Sequence, residues 1–247
     1  MPTQLTPIAR PTWQGTKPLD FPWIWKQHWY DLAFAHWRVP EASLRPYIPG
    51  ALEIDTWDGN AWVSIVAFRL AIRRRWLPRF GLSTSFLELN LRTYVRWRDE
   101  AGIYFLSIQA GKRASVALAR WLTPLPYVYA PIKYEVRGET RHFECMRAGS
   151  QSPLLLATFR SSGQPTLAGD HEVNAWLLER YCAFVPDRES VYRMAARHDP
   201  WRIQAVDAHI DANQLGMPWS LPLQRQPDAA HFASRMTAWI GRFERLS

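Results

Sequence analysis

Phe86-Leu87-Glu88-Leu89-Asn90-Leu91-Arg92-Thr93-Tyr94-Val95 alternates apolar and polar residues with a period of two. That is the period of an extended strand, in which successive side chains point to opposite faces. Leu87, Leu89, Leu91 and Val95 share one face, and Glu88, Asn90, Arg92 and Tyr94 share the other. Two arrangements satisfy the pattern. One is an ordinary sheet with a wet outer face, which the alternation alone favours. The other is a barrel wall whose polar face looks into the lumen while the leucines pack beneath outer helices. In the second arrangement the chemistry is constrained. Glu88 and Arg92 stand roughly 13 Å apart along a straight strand, too far for a direct pair. Each then needs another partner, or a ligand between them. An enclosed arginine offers a planar fork suited to a carboxylate, and a buried glutamate favours its acid form. Such a lumen suits a small oxo-acid or protonates an intermediate; a structural ion network is the alternative.

Around this strand the chain reads as many short strands with few helices. Asp31 to Val39 is extended and aromatic, and Pro40-Glu41 suits the first turn of a short helix through Leu44. Leu52 to Trp57 and Ala61 to Leu70 flank Asp58-Gly59, a hairpin signal. A second hairpin joins Phe86 to Trp97 with Ile103 to Ala110, its turn placed at Asp99 to Gly102. Arg113 to Leu122 is helix-compatible and stops before Pro124 and Pro126. Tyr127 to Arg137, Thr140 to Ala148 and Leu154 to Arg160 read as strands. His171 to Cys182 reads as the clearest helix, with Val173, Trp176, Leu177, Arg180 and Tyr181 on one face. Ser190 to His198 and Trp201 to Asp211 follow as strands, and His231 to Leu246 fits either strand or helix. The pattern predicts an α+β, mainly antiparallel fold closed or nearly closed on itself, occupying residues 1–247 as one domain with the first twenty as a surface arm. There is no glycine-rich strand-to-helix turn for a dinucleotide or a nucleoside triphosphate.

Composition narrows the function classes. The best apolar run, Ala61 to Ile72, is broken by Arg69 and falls short of the roughly 20 residues that span a bilayer. Two distant cysteines, Cys145 and Cys182, and the absence of a secretory pattern in Met1 to Arg10 point to a reducing cytoplasm without membrane attachment. The net charge of +8 raises nucleic acid as a partner. Only Lys17, Lys26, Lys112 and Lys133 are lysine, however, and the arginines are dispersed apart from Arg73-Arg74-Arg75 with Arg79. That distribution disfavours a nucleic-acid interface, and a small molecule is the expected partner. No histidine pair has ligand spacing beside carboxylates, so neither metal nor other cofactor is expected.

Several motifs then become familiar together. Phe86-x-Glu88-x-Asn90-x-Arg92-Thr93-Tyr94-Val95, Phe34-Ala35-His36-Trp37, Asp58-Gly59-x-Ala61-Trp62-Val63, Leu125-Pro126-Tyr127 and His198-x-Pro200-Trp201 are spread from about Trp29 to Ala208. In these motifs and their order the chain resembles the YqjF-like family, domain of unknown function 2071. The resemblance implies an acetoacetate-decarboxylase-like fold, a cone-shaped antiparallel barrel with an internal cavity and a few outer helices, and no assigned reaction. The decarboxylase relatives use a lysine whose pKa is depressed by a neighbouring cation. The matching segment here is Leu125-Pro126-Tyr127-Val128, so tyrosine stands in the lysine's place and cannot form an imine. Glu88 matches an active-site carboxylate of those relatives.

His36 shares a face with Leu32 and Phe34 and reads first as a core histidine. The family motifs bring it, with His198 and Trp201, into a ligand-binding set that also holds Asn90 and Tyr94. For an enzyme, Arg92 would anchor an acidic group and Glu88 or Tyr127 would donate a proton, in a lyase-like or hydrolase-like reaction without imine formation. A non-catalytic binding or sensor module is the alternative. Whether Lys112 or Lys133 reaches the pocket is left open by the sequence, as is a homo-oligomer.

Overall fold

Ala61–Arg74 is rich in β-branched and aromatic residues on both faces, the composition of a strand buried on two sides. In the computed structural model, which describes residues 22–74, 84–187 and 190–246, it is one strand of a closed wall. The elements in order are β1 (Trp25–Val39), α1 (Glu41–Leu44), β2 (Glu53–Ile54), β3 (Ala61–Arg74), β4 (Thr84–Trp97), β5 (Glu100–Ala110), α2 (Arg113–Leu122), β6 (Tyr127–Tyr129), β7 (Ile132–Arg137) and β8 (Thr140–Met146). They continue with β9 (Pro153–Leu167), α3 (Glu172–Leu178), β10 (Cys182–Asp187), β11 (Ser190–His198), β12 (Arg202–Asn213) and β13 (Ala229–Arg245). Strands β1-β3-β4-β5-β10-β11-β13 pair in sequence, and β13 pairs again with β1, which closes a seven-stranded barrel. The sheet continues from β13 through β12, β9, β8 and β7 as an outer layer. Among the described residues no helix is long and apolar enough to cross a membrane.

The wall has a core on each side. Ala33, Ala35 and Trp37 of β1, Val63 and Ile65 of β3, and Leu89, Leu91 and Val95 of β4 pack outward against Phe143, Cys145, Leu155 and Phe159 of the outer sheet. The β4 leucines therefore share a core with β8 and β9 as well as with Leu44 of the short helix α1, where outer helices alone were expected. On the inner face, Leu32, Phe34, Val66, Phe68, Leu70 and Phe86 form the second cluster. Parity along β1 is inverted by a bulge. Trp25, Gln27 and Trp29 face the lumen, Asp31 adopts φ 54, the register with β3 slips between Tyr30 and Ala33, and Phe34 then faces the same lumen.

Several sequence boundaries move. Asp58 and Gly59 do form a turn with positive φ, but its arms part after the Trp57–Asn60 bridge, and β2 pairs with Arg96 and Val95 of β4 instead of with β3. The β4–β5 turn is Arg98-Asp99, with Arg98 at φ 53. Gly102 lies inside β5, where a Cβ would meet Cys182 Sγ at 2.7 Å and the Cys182 carbonyl at 2.9 Å, so glycine there admits β10. The strand expected over Tyr127 to Arg137 divides at Ala130-Pro131. α3 ends at Leu178, short of Cys182, and the ambiguous C-terminal tail is strand. The expected N-terminal arm and Arg75 and Arg79 of the basic cluster lie outside the described residues.

α3 plugs one end of the barrel. Trp176 sits 4.7 Å from the Tyr94 ring and packs against Trp62 and Trp57. Beside it runs a buried hydrogen-bond chain. Asn174 Oδ1 lies 3.0 Å from His231 Nε2, His231 Nδ1 lies 3.2 Å from His36 Nε2, and His36 Nδ1 lies 2.6 Å from Ser64 Oγ. Ser64 Oγ lies 2.5 Å from Tyr94 Oη. The amide oxygen only accepts, so His231 donates through Nε2 and accepts through Nδ1. His36 then donates through Nε2, leaving its Nδ1 to accept from Ser64, which accepts from Tyr94. Every bond is satisfied with both histidines neutral. Burial drives the His36 pKa well below its ordinary value, with His231 and Arg92 adding to the shift, and burial lowers His231 to about 4.

The unfolded chain takes up protons on these histidines near pH 6.5, whereas the folded chain resists. Their contribution to stability is therefore full above about pH 6.5 and falls by about 1.4 kcal/mol per pH unit per histidine as pH drops toward 4. Glu88, whose folded pKa is raised, has the opposite slope (below), so the comparison is between variants. Urea midpoints of His231→Gln should decline less steeply between pH 6.5 and 4.5 than those of the parent protein. Separately, Gly102→Ala should destabilise by about 1–3 kcal/mol, because the clash is with backbone as well as with a side chain; thermal unfolding reads this directly.

Candidate active site

The lumen holds a cavity of about 360 Å³ that includes the polar face of β4. Phe86, Glu88, Asn90 and Arg92 all line it, so the face rich in hydrogen-bonding groups is the inner one. β5 contributes Ile103, Phe105 and Ile108, its parity shifted by a bulge opposite Leu91 and Arg92. α2 covers the open end with Ser115, Leu118 and Leu122. The chain then returns through Pro126 into β6, which runs parallel to β5 with Tyr127 opposite Ile108. This crossover carries Tyr127 to the lumen.

Glu88 and Tyr127 meet there. Tyr127 Oη donates to Glu88 Oε2 at 3.1 Å, and Asn90 Nδ2 donates to Glu88 Oε1 at 3.4 Å. Glu88 is 4% exposed. Desolvation raises its pKa to about 7, against the opposing pull of the Asn90 and Tyr127 hydrogen bonds. Tyr127 is pushed well above its ordinary value by burial, and further by the Glu88 carboxylate it donates to. The pair thus holds a proton that can be shared near neutral pH, the condition for general acid–base work.

Arg92 lies farther along β4 and is partly buried, its guanidinium 5.8 Å from the Phe34 ring. Among the described residues it makes no ion pair and no hydrogen bond, and its Nε is buried without a partner. His198 and Trp201 also line the lumen, with rings 5.2 Å apart. His198 Nδ1 donates to the Asp199 carbonyl at 2.7 Å, as a turn-ordering histidine would, and burial lowers its pKa. Tyr94 and His36 are not among the lining residues. They belong to the hydrogen-bond chain at the plugged end, where their part is to fix neighbours.

Two contributors had no sequence signal. Arg180, expected on the apolar face of α3, follows the end of that helix. It donates to Trp176 O at 2.6 Å and to Asp55 Oδ2 at 2.6 Å, with its guanidinium over Tyr94 and Trp176. It lines the lumen with its charge already matched. Ser115 of α2 is the other, its Oγ buried without a partner. No pattern in the sequence links either to β4. Lys112 caps the N-terminus of α2 and Lys133 pairs with Glu144 at 3.2 Å on the surface; among the described residues no lysine lines the lumen. Among those residues, too, no three His, Cys, Asp or Glu side chains converge as a metal would require. Both cysteines are buried free thiols with pKa values pushed up to about 12 by desolvation.

Comparison with known proteins matches this architecture. The family described as an uncharacterized conserved protein, domain of unknown function 2071, matches residues 26–237. The uncharacterized protein YqjF of Bacillus subtilis (strain 168) is 36% identical over 214 residues, covering 86% of this chain and 88% of its own. Among solved structures, an acetoacetate decarboxylase-like enzyme from Sphingomonas wittichii RW1 superposes with a TM-score of 0.66 at 17% identity, covering 91% of this chain and 93% of that one. The enduracididine biosynthesis enzyme MppR complexed with pyruvate gives 0.65 at 12% identity, covering 93% and 92%. The chain belongs to the family of domain of unknown function 2071 and has the acetoacetate-decarboxylase-like barrel fold.

Proposed function

We propose that this protein binds a small carboxylate in its lumen, of the oxo-acid type or a related metabolite, and that any turnover proceeds by proton transfer at Glu88 and Tyr127 without imine formation. One observation carries the reading. An arginine inside the lumen has no partner among the described residues, while burial raises the pKa of the carboxyl four residues away on the same strand face to about 7. A cation left without a protein anion favours an anionic ligand, and its fork matches a carboxylate. MppR, a protein of the same fold, forms a complex with the oxo-acid pyruvate, which supports the ligand class. The chemistry departs from an amine mechanism because Tyr127, and no lysine among the described residues, faces Glu88. In this scheme Arg92 orients the acid, and the Glu88–Tyr127 pair gives or takes a proton at the ligand atom placed beside it.

The lack of a lumen lysine among the described residues also supports a second reading, a binding or sensor module without turnover. Chromatography of oxo-acids incubated with the protein separates the two, since product formation excludes the sensor. Borohydride reduction in the presence of oxo-acids should leave the intact mass unchanged; a ligand-dependent adduct on any lysine would refute the mechanism.

Arg92→Gln should weaken carboxylate binding tenfold to a hundredfold, the range of one charge-assisted hydrogen-bond pair, as read by calorimetry. Glu88 supplies a pH signature. Its folded pKa is raised from the ordinary carboxylate value to about 7, so the carboxyl is neutral below that value and charged above it. Carboxylate affinity should therefore fall as pH rises through about 7, and Glu88→Gln should flatten the profile. By the same linkage Glu88 supports folding at low pH and loses that contribution as pH rises between 4.5 and 7.

A further inference from the structure

The size and polarity of the lumen say more about the ligand than its charge does. At about 30 Å³ for each water-sized group, the cavity of about 360 Å³ holds on the order of a dozen non-hydrogen atoms. A three-carbon oxo-acid has half that number and would leave the rest of the space unfilled. Polar groups are not spread evenly over the wall. At one end, Arg92 Nε and Trp201 Nε1 are buried donors without acceptors, grouped around Phe34, whose ring lies 5.2 Å from that of Trp201. Above them, apart from Glu88 with its partners, the lining from β3, β4 and β5 is apolar, with Phe68, Leu70, Ile72, Phe86 and Ile108 leading out to Leu118 of α2, a helix that also brings the unpartnered Ser115 Oγ to the lining. A second ligand charge has no buried cation of unmatched charge to meet. Arg180 keeps one buried nitrogen, Nη2, without an acceptor, but its charge is matched by Asp55 at 2.6 Å, and Arg242, also on the lining, is exposed to solvent that screens it.

We propose that the ligand is a monocarboxylate carrying an apolar body of about eight to ten carbons, bound with its acid at the Arg92 end and its body filling the lumen toward α2. The Glu88–Tyr127 pair then stands beside the body, well along it from the carboxylate, and would act on a polar substituent there. The inference rests on Arg92 as the anchor and adds the length and polarity of what is anchored.

Calorimetry with straight-chain carboxylates from acetate to tetradecanoate, each matched to the 1-alkanol of equal length, tests both parts. Affinity should rise about fourfold per methylene, peak near eight to ten carbons and fall beyond. Octanoate should bind at least tenfold tighter than 1-octanol, a preference that Arg92→Gln abolishes. Ile72→Trp, which narrows the lumen near α2 and leaves the anchor alone, should move the optimum to shorter acids. Acetate or pyruvate binding as tightly as octanoate would overturn the apolar body while leaving the anchor standing. Equal affinity for octanoate and 1-octanol in the parent protein would overturn the carboxylate reading itself. Failure of every acid to bind overturns both.

Discussion

The antiparallel pairing of β1 with β13, from Trp25 opposite Ile240 to His36 opposite Ala229, turns a sheet into a barrel, and the rest of the site follows from that closure. An open sheet of the same strands would leave Glu88, Asn90 and Arg92 in water, where the first is an ordinary carboxylate and the last an ordinary surface cation. Closure encloses them with Phe34 and Trp201 in one narrow space. The low polarity of that space holds the Glu88 proton near neutral pH and leaves Arg92 without a protein anion. The outer sheet has a complementary role. By burying Leu89, Leu91 and Val95 on the other side of β4, it fixes the strand's register, since a one-residue slip would exchange the leucines for the polar row.

The parts of this legible in the sequence are those written along one strand. Period-two alternation over Phe86 to Val95 is enough to group Glu88, Asn90, Arg92 and Tyr94, and all four side chains do point to the inner side of the wall. Alternation cannot say whether that side is wet or enclosed, because the closing partner, β13, lies about 150 residues away and its own sequence fits helix as well as strand. Parity is readable only between bulges. The inversion at Asp31 depends on a non-glycine residue at positive φ, which has no reliable signature. The Asp58-Gly59 signal shows the same limit from the other direction. The turn forms as its residues dictate, yet β2 finds a better partner in β4, so local turn chemistry does not decide strand pairing.

What escapes a sequence reading entirely is assembled from several elements at once. The chain from Asn174 through His231, His36 and Ser64 to Tyr94 draws on α3, β13, β1, β3 and β4, and no sequence spacing links those residues. His36 reads from the sequence both as a core histidine and as a ligand contact, and its place in the chain accounts for both. It is buried and fully bonded, and it stands directly behind the Phe34 ring that flanks Arg92. Arg180 is a similar case. Its charge is matched by Asp55, 125 residues away, and its guanidinium packs on the same Tyr94 and Trp176 that plug the barrel. The Arg92 end of the lumen is therefore backed by the bonded His36 chain and by an arginine whose charge Asp55 matches, while Arg92 itself has no protein anion among the described residues.

A phenol at the β6 position, in place of an amine, limits what the lumen can do with an acid. A lysine beside Glu88 would form an ion pair, and both groups would be charged. With Tyr127 in that place the only proton to be settled is that of Glu88, since the phenol stays protonated well above its ordinary range. The lumen then carries the single charge of Arg92 when Glu88 is neutral, and no net charge when Glu88 ionises. On the proposed function, an anionic ligand would be bound and protonated under the same condition, because the state of Glu88 that can give a proton is also the state that leaves Arg92 unopposed. The coupling requires Tyr127 to donate to Glu88 and not to the ligand, and the 3.1 Å bond between Oη and Oε2 has that direction.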